Sequence, residues 1–406
     1  MRATPQPRTQ EPNNMKFLTK RQLPTAALAL AAASPAWGAN PPLAAGNDVV
    51  NVKAMFGAAG DGAKDDTAAI QAAIDYCFGA QSDPHGQAAH KNKILFFPPG
   101  QFKIISPLLF SKVHGGRILG SGRFVTKIAN EAGGSVFITN GCQYSHFEGM
   151  ELQGTGNSTL FDLNSDGTVV ALQSNTFLDI FFSGGAMGMN IGRNGFMGSE
   201  NLFLNCFWGA NKTAGLITSN FNALQNTIVG GNFQTCGVGV WISKGSVPLI
   251  SSVGFQQSAT CDILLENSAH DTITVDSCRT ESRHFFKVPH GNPHFNVRGC
   301  SHINAENIEG DFVSVNGSST GVVESCVSVT GRMVFLQNCR VRVAYSSFGR
   351  TDWVTIGERG ADMQIEIEDI QFGNTTNNVG AGKPQRISKQ RITNNGTFSY
   401  VLEAVR

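Results

Sequence analysis

The sequence predicts an all-β chain, a single-stranded right-handed parallel β-helix of about ten coils with a short N-terminal capping helix. Three observations predict it. A small or turn-forming residue followed by an apolar one recurs down the second half of the chain. The stretches between these pairs alternate with a period of two and lack helical periodicity. Glycine is abundant, with 46 in 406 residues, which supplies the positive-φ corners that many short strands need.

The recurring pairs are Gly149-Met150, Asp179-Ile180, Asn205-Cys206, Asn232-Phe233, Gly254-Phe255, Ser277-Cys278, Gly299-Cys300, Ser325-Cys326, Ser347-Phe348 and Asp369-Ile370. Their second members are separated by 30, 26, 27, 22, 23, 22, 26, 22 and 22 residues. A period near 22 suits one coil of three short strands and three corners, and a fixed repeat in the chain marks a solenoid. Successive coils pair through the backbone at about 4.8 Å per step, so ten coils make a rod of roughly 45–50 Å. Runs such as Thr272 to Val275 and Met333 to Leu336 read as its strands. Equivalent residues stack into ladders, which puts Cys206, Cys278, Cys300 and Cys326 in one inward row with Phe233, Phe255 and Phe348. The nine cysteines therefore read as small core residues rather than a disulfide framework or a metal set. Trp208 also falls at an inward position; Trp241 and Trp353 stay undecided between core and sugar-stacking roles.

Residues 1–38 read as an N-terminal extension with a secretory signal. Lys16, Lys20 and Arg21 precede the apolar run Ala26 to Ala33, and Ala36 and Gly38 then mark a cleavage site before Ala39. Met15 is the better-placed start of such a signal. The run is too short to span a bilayer, so the expected location is secreted or periplasmic. Residues 39–373 form the β-helix domain, and 374–406 depart from the repeat as a C-terminal cap or tail. The first coil needs a cover, because a solenoid end exposes strand edges. Asp65-Asp66-Thr67 ahead of Ala68, Ala69, Ile70, Ala72, Ala73 and Ile74 predicts that cover as a helix over about 65–78. Asp61-Gly62 reads as a turn, and Ile94-Leu95-Phe96-Phe97 as a buried strand stopped by Pro98-Pro99-Gly100.

NVKAMFGAAGDGAKDDTAAIQAAID (51–75) followed by ILFFPPGQFKI (94–104) resembles the opening of the pectate-lyase-like β-helix superfamily, which includes pectate lyase-like proteins, polygalacturonase-like hydrolases and phage tailspike depolymerases. The resemblance implies an enzyme that binds and cleaves long polysaccharides, as a monomer or a homotrimer. It lies in the cap and first coil, so it speaks for fold more than for chemistry. The Gly-His-Gly with an Asp pair of polygalacturonase-like enzymes is absent. Asp83-Pro84-His85 is similar to a mannuronan epimerase motif but lacks its aromatic-Gly context and reads as a turn. Asp61, Asp65 and Asp66 are read as turn and cap residues.

Chemistry-bearing residues concentrate in DSCRTESRHFFKVPH (276–290). With Cys278 inward, alternation sends Arg279 and Glu281 outward, followed by Arg283 and His284. On the same expectation Gln256 and Ser258 stand one coil earlier, and Ser301 and Ile303 one coil later. His270, His284, His290, His294 and His302 share this region with Arg298 and Lys287. A cationic flank suits an anionic, uronate-containing chain, with Gln256, Lys244, Lys287 and Asp262 as substrate contacts. The formal net charge of +1 argues against nucleic acid or membrane as partner.

The leading expectation is an exported lyase that cleaves an acidic, uronate-containing polysaccharide by β-elimination, with a glycoside hydrolase as the alternative; both mechanisms fit the residue types. In a lyase, Arg279 or Arg283 neutralises the uronate carboxylate, and His284 removes the acidified ring proton. In a glycoside hydrolase, Glu281 pairs with Asp262 or Asp276 as acid and base. A third reading is a non-catalytic glycan-binding or surface protein, with Arg279, Glu281 and Arg283 as an ordinary surface ion-pair ladder. No cofactor is expected; calcium stays open because some resembling families use it, although no dense acidic loop is present.

Overall fold

The computed structural model describes residues 48–79, 93–165, 172–193, 197–266, 271–303, 310–349, 353–356, 364–372 and 385–393. They form a right-handed parallel β-solenoid of about ten coils. Each regular coil contributes one strand to each of three parallel sheets. In the coil that carries Cys278, Thr272–Asp276 lies in the first sheet, Arg279–Thr280 in the second and Phe286–Val288 in the third. The next coil repeats the order with His294–Arg298, Ser301–His302 and Gly310–Asn316. Among the described residues no helix is long and apolar enough to cross a membrane.

The corner between the first and second sheets explains the sequence rhythm. Gly149, Asp179, Asn205, Gly230, Ser252, Ser277, Gly299, Ser325, Tyr345 and Asp369 all adopt positive φ there. Such a residue turns the chain sharply and is followed by an inward side chain. Glycine, Asn and Asp tolerate that backbone best, which is why they punctuate the repeat.

The pairing corrects the expected ladder. Continuing the strand register, Ile180, Cys206, Gly231, Val253, Cys278, Cys300, Cys326, Ser346 and Ile370 stack in one row. Phe233, Phe255 and Phe348 stand in a neighbouring inward row, two residues further on, with Phe182, Trp208, Thr280, His302 and Ser328. Asn232-Phe233, Gly254-Phe255 and Ser347-Phe348 imitate the corner pair one inward position late. A slip of two preserves which face a residue takes, so the inward assignment of the cysteines stands, and all nine are buried and unpaired. Burial pushes the Cys206 and Cys142 thiols up to about 12.

The row changes character along the axis. Phe182, Trp208, Phe233 and Phe255 stack face to face, with centroids 5.4, 4.2 and 5.3 Å apart. They need space opposite, and Gly188, Gly215 and Gly239 of the third sheet provide it. A Cβ on Gly215 would lie 2.5 Å from the Phe233 ring. One coil on, the aromatic gives way to Thr280 and the glycine to Asp262, by continuation of the register. Thr280 donates to Asp262 Oδ2 at 2.5 Å. Then His302 holds the Ser282 carbonyl at 2.9 Å and Ser328 Oγ at 3.0 Å. Trp208 and Trp353 are fully buried core residues.

The turn from the third sheet back to the first carries an amide ladder. Asn175 Nδ2 donates to Asn201 Oδ1 at 3.0 Å, and Asn201 Nδ2 to Asn226 Oδ1 at 2.8 Å. These buried side chains satisfy one another from coil to coil, as interior polar groups must.

The N-terminal cover comprises α1 (Val52–Phe56), capped by Asn51, and α2 (Thr67–Phe78). Asp61 accepts from the Ala63 and Lys64 amides, a turn as expected, although Asp61–Asp65 also pairs with Gly100–Ile104. Asp65 accepts from Thr67 N at 3.0 Å. Asp66 does not cap the helix with its side chain; it is buried and accepts from Ala59 and Gly60 at 2.6 and 2.8 Å, pinning the loop before it. At the far end, Gln385–Thr393 runs antiparallel to Gln364–Phe372, which pairs with both the first and the second sheet. The signal segment, Asp83-Pro84-His85 and His270 lie outside the described residues.

Candidate functional site

The residues expected to share a site divide into three places. Arg279 and Glu281 do meet. Two residues apart on the outer face of the second sheet, they form an ion pair of 2.7 Å, with side chains 64% and 30% exposed. Their neighbour one coil earlier differs from expectation: Gly254 pairs with Arg279, which places Gln256 beside Glu281. Arg283 is exposed. The adjoining Arg298 is held by Asp276 at 2.7 Å.

His284 turns away to the start of the third sheet. Its Nδ1 accepts from the Asp311 amide at 3.2 Å and lies 3.4 Å from the Asp311 carboxylate, whose other oxygen meets Arg332 at 3.4 Å. Burial alone would raise the Asp311 carboxyl, but the hydrogen bond and charge of His284 and the charge of Arg332 bring it below the ordinary carboxylate range. Lys287 lies half-buried on the third sheet beside Leu264. Lys244 follows a third-sheet strand, Val238–Ile242, and its ammonium sits 5.3 Å from the exposed Phe221 ring. Neither lysine shares a sheet with Arg279.

Asp262 is the clearest correction. It is fully buried inside the solenoid, so it cannot touch a polysaccharide or pair with Glu281 across a scissile bond. Desolvation raises its carboxyl to about 7, opposed by the nearby hydroxyls of Ser258, Ser282 and Thr280, of which Thr280 donates a hydrogen bond to it. His302 is likewise interior, its imidazole pushed down to about 4 by burial. His290 and His294 are exposed.

A second cluster, not foreseen from the sequence, gathers where the first and second sheets meet near the N-terminal end. The strand His146–Gln153 presents Glu148 outward on the first sheet and Glu151 on the second; on the next strand, Thr176–Ser183, their partners are Leu178 and Phe181. Asp179 occupies the corner between them at φ 52°. Phe207 continues the outer row beyond Phe181. Over these coils reaches the corner loop 121–125. Gly120, where it departs, approaches the next coil so closely that a Cβ would lie 2.2 Å from the Gly149 carbonyl oxygen.

Arg123 pins this loop. Its guanidinium lies 3.3 Å from Asp179 Oδ1, donates to the Asn205 carbonyl at 3.5 Å and covers the Phe207 ring at 3.8 Å. The adjacent Phe124 is 72% exposed and meets Phe181 edge to face at 5.8 Å.

The three acids differ in proton affinity. Burial raises the Glu151 carboxyl, against the attraction of Lys127 at 4.0 Å. Burial also raises Asp179, aided by repulsion from Glu148 and opposed by Arg123. Glu148 goes the other way, lowered chiefly by its 2.9 Å hydrogen bond with His146. Asp179 and Glu148 are close enough to interact, and carboxyls of opposite proton demand in one place are common equipment of acid–base chemistry. Among the described residues no group of three His, Cys, Asp or Glu side chains is arranged to hold a metal ion. The sequence carried little signal for this cluster, because Asp179 reads as a corner residue and Arg123 meets Asn205 across 82 positions.

The family model described as rhamnogalacturonase A/epimerase, pectate lyase-like, matches residues 49–164. No curated protein sequence matches the chain. Among solved structures, the enzymatically active domain of tailspike protein 2 from bacteriophage CBA120 superposes with a TM-score of 0.56 at 16% identity, over 74% of this chain and 48% of that one. The gp42 tailspike of Acinetobacter phage vb_AbaP_AS12 gives 0.53 at 9% identity, over 89% and 67%. Pre-mature gene product 12 of bacteriophage phi29 gives 0.52 at 14% identity, over 80% and 52%. The chain thus spans between about half and two thirds of the length of these structures. It is a parallel β-helix whose residues 49–164 match a pectate-lyase-like family and whose fold is that of phage tailspike proteins.

Proposed function

We propose that this chain is an exported polysaccharide-degrading enzyme and that it acts as a glycoside hydrolase through the carboxyl cluster at the 121–125 loop. One observation carries the reading: at the corner that Asp179 occupies, between the strand positions of Glu148 and Glu151, burial raises Asp179 and Glu151 while the hydrogen bond with His146 lowers Glu148. In this reading Glu151 or Asp179 protonates the glycosidic oxygen as the bond breaks. Glu148 takes the proton of the attacking water or attacks the sugar carbon itself. The family description and the tailspike fold agree with a glycan substrate.

The β-elimination reading draws less support. It needs a cation free to neutralise a uronate carboxylate, yet Arg279 is engaged by Glu281, Arg298 by Asp276 and Arg332 by Asp311. His284, the expected base, faces Asp311 instead of this flank.

The test is incubation with a panel of neutral, N-acetylated and uronate-containing polysaccharides. Hydrolysis releases reducing ends without the ultraviolet absorbance of an unsaturated uronate. Glu151→Gln and Asp179→Asn are each expected to lower turnover by roughly 10²–10⁴-fold. Full activity in both variants, or product carrying the unsaturated chromophore, refutes the proposal.

A further inference from the structure

We infer that Phe124 and Phe181 form a binding subsite for an uncharged pyranose, so that the polymer taken by this face is a neutral or N-acetylated glycan and not a polyuronate. The inference rests on the reading of this face as glycan-active and adds the substrate class.

The first ground is the platform. Phe124 is the most exposed large hydrophobic side chain among the described residues, at 72%. It sits at a loop anchored by Arg123 through three separate contacts, and its ring is braced edge-on by Phe181. An aromatic ring held outward by such bracing is preorganised for a ligand. Its negative π-face matches the weakly positive C–H bonds on the apolar face of a pyranose.

The second ground is charge. The cations nearest the platform are already engaged: Arg123 with Asp179 and Lys127 with Glu151. Glu148, held ionised by its hydrogen bond with His146, would repel an arriving uronate. The outer row of Phe181 and Phe207 continues to Asn232, and the outer row beside it runs from Ser183 and Gly209 to Gln234 and Gln256. These amides donate to and accept from hydroxyl and acetamido groups and carry no charge.

The test is affinity electrophoresis of the full chain in gels containing laminarin, galactomannan, glycol chitin or polygalacturonate, at low and high salt. At least one neutral or N-acetylated polymer is expected to retard the protein with little salt dependence. Phe124→Ala should weaken that retardation about tenfold, equivalent to ~1.4 kcal/mol, and Phe124→Trp should retain it. Because Phe124 is exposed, both variants should keep the parent's thermal midpoint, which separates a lost contact from a lost fold. Strongest retardation by polygalacturonate, retardation by no uncharged polymer, or an unchanged affinity in Phe124→Ala overturns the inference. Reducing-end release is measured on the same polymers. Phe124-dependent binding without hydrolysis would sink the hydrolase reading and leave the subsite standing.

Discussion

Replacing Asp262 with Asn should make the protein more stable from neutral pH upward and leave it nearly unchanged near pH 4. Asp262 is completely buried between Thr280 and the glycine row of the third sheet, and one of its oxygens has no hydrogen-bond partner. Its carboxyl is raised from 3.8 to about 7, chiefly by desolvation. The native state therefore keeps a proton that the unfolded chain releases near 3.8. Stability from this group is fully present below that value and is lost as pH rises to about 7. Above that both states are ionised and the loss is complete. At ~1.4 kcal/mol per pH unit, a displacement of about three units corresponds to ~4 kcal/mol. That figure is an upper bound, since an ionised interior carboxylate draws in water. Asn fills the same space, accepts from Thr280 with its carbonyl and carries no charge. The assay is denaturant unfolding of parent and Asp262→Asn between pH 4 and 9, compared through their midpoints. The variant should gain on the parent steadily between about pH 4 and 7 and then level off. A difference that does not change with pH would show that Asp262 is not a buried titrating group.

Three further outcomes follow from the packing. Phe233→Ala should cost ~3–5 kcal/mol in thermal or denaturant unfolding, because it removes the ring stacked between Trp208 and Phe255 and leaves a cavity opposite Gly215; a cost below about 1 kcal/mol would mean that the core closes around the gap. Asn201→Ala should cost ~1–3 kcal/mol by orphaning its partners in the amide ladder, and Asn201→Ser, which keeps only part of the ladder, should fall between. The cysteines should resist an aromatic disulfide reagent at pH 8 in the native state and react only with denaturant, since all nine are buried and burial holds thiols such as Cys206 near 12; rapid native labelling of Cys278, Cys300 or Cys326 would contradict the inward row.

The solenoid was legible because its corners obey a chemical rule. Ser277, Gly299 and Ser325 take positive φ, and each is followed by a buried thiol. The same rule misled at Asn232, Gly254 and Ser347, which precede an inward Phe two positions past the true corners at Gly230, Ser252 and Tyr345. Inside and outside survived that slip because side chains alternate; neighbour relations between coils did not, and Gln256 was assigned to the wrong partner. Asp262 was misread for a related reason. It occupies the position of Gly239, where the third-sheet backbone turns an inward vector to the core, and a charged residue there looks like a surface residue until the register is known. The carboxyl cluster lay beyond sequence reasoning altogether, because a loop must fold across several coils before Arg123 can reach Asn205.

The reversed direction of Gln385–Thr393 matters beyond its own pairing. A stack of parallel rungs is chemically open-ended: its final rung offers the template that the preceding ones used, and a second molecule could dock its own first rung there and continue the rod into a filament. An antiparallel strand there changes the hydrogen-bond spacing offered to any newcomer. Rods of this chain should therefore end at a fixed length, and removing that one strand is the change most apt to turn separate particles into fibres.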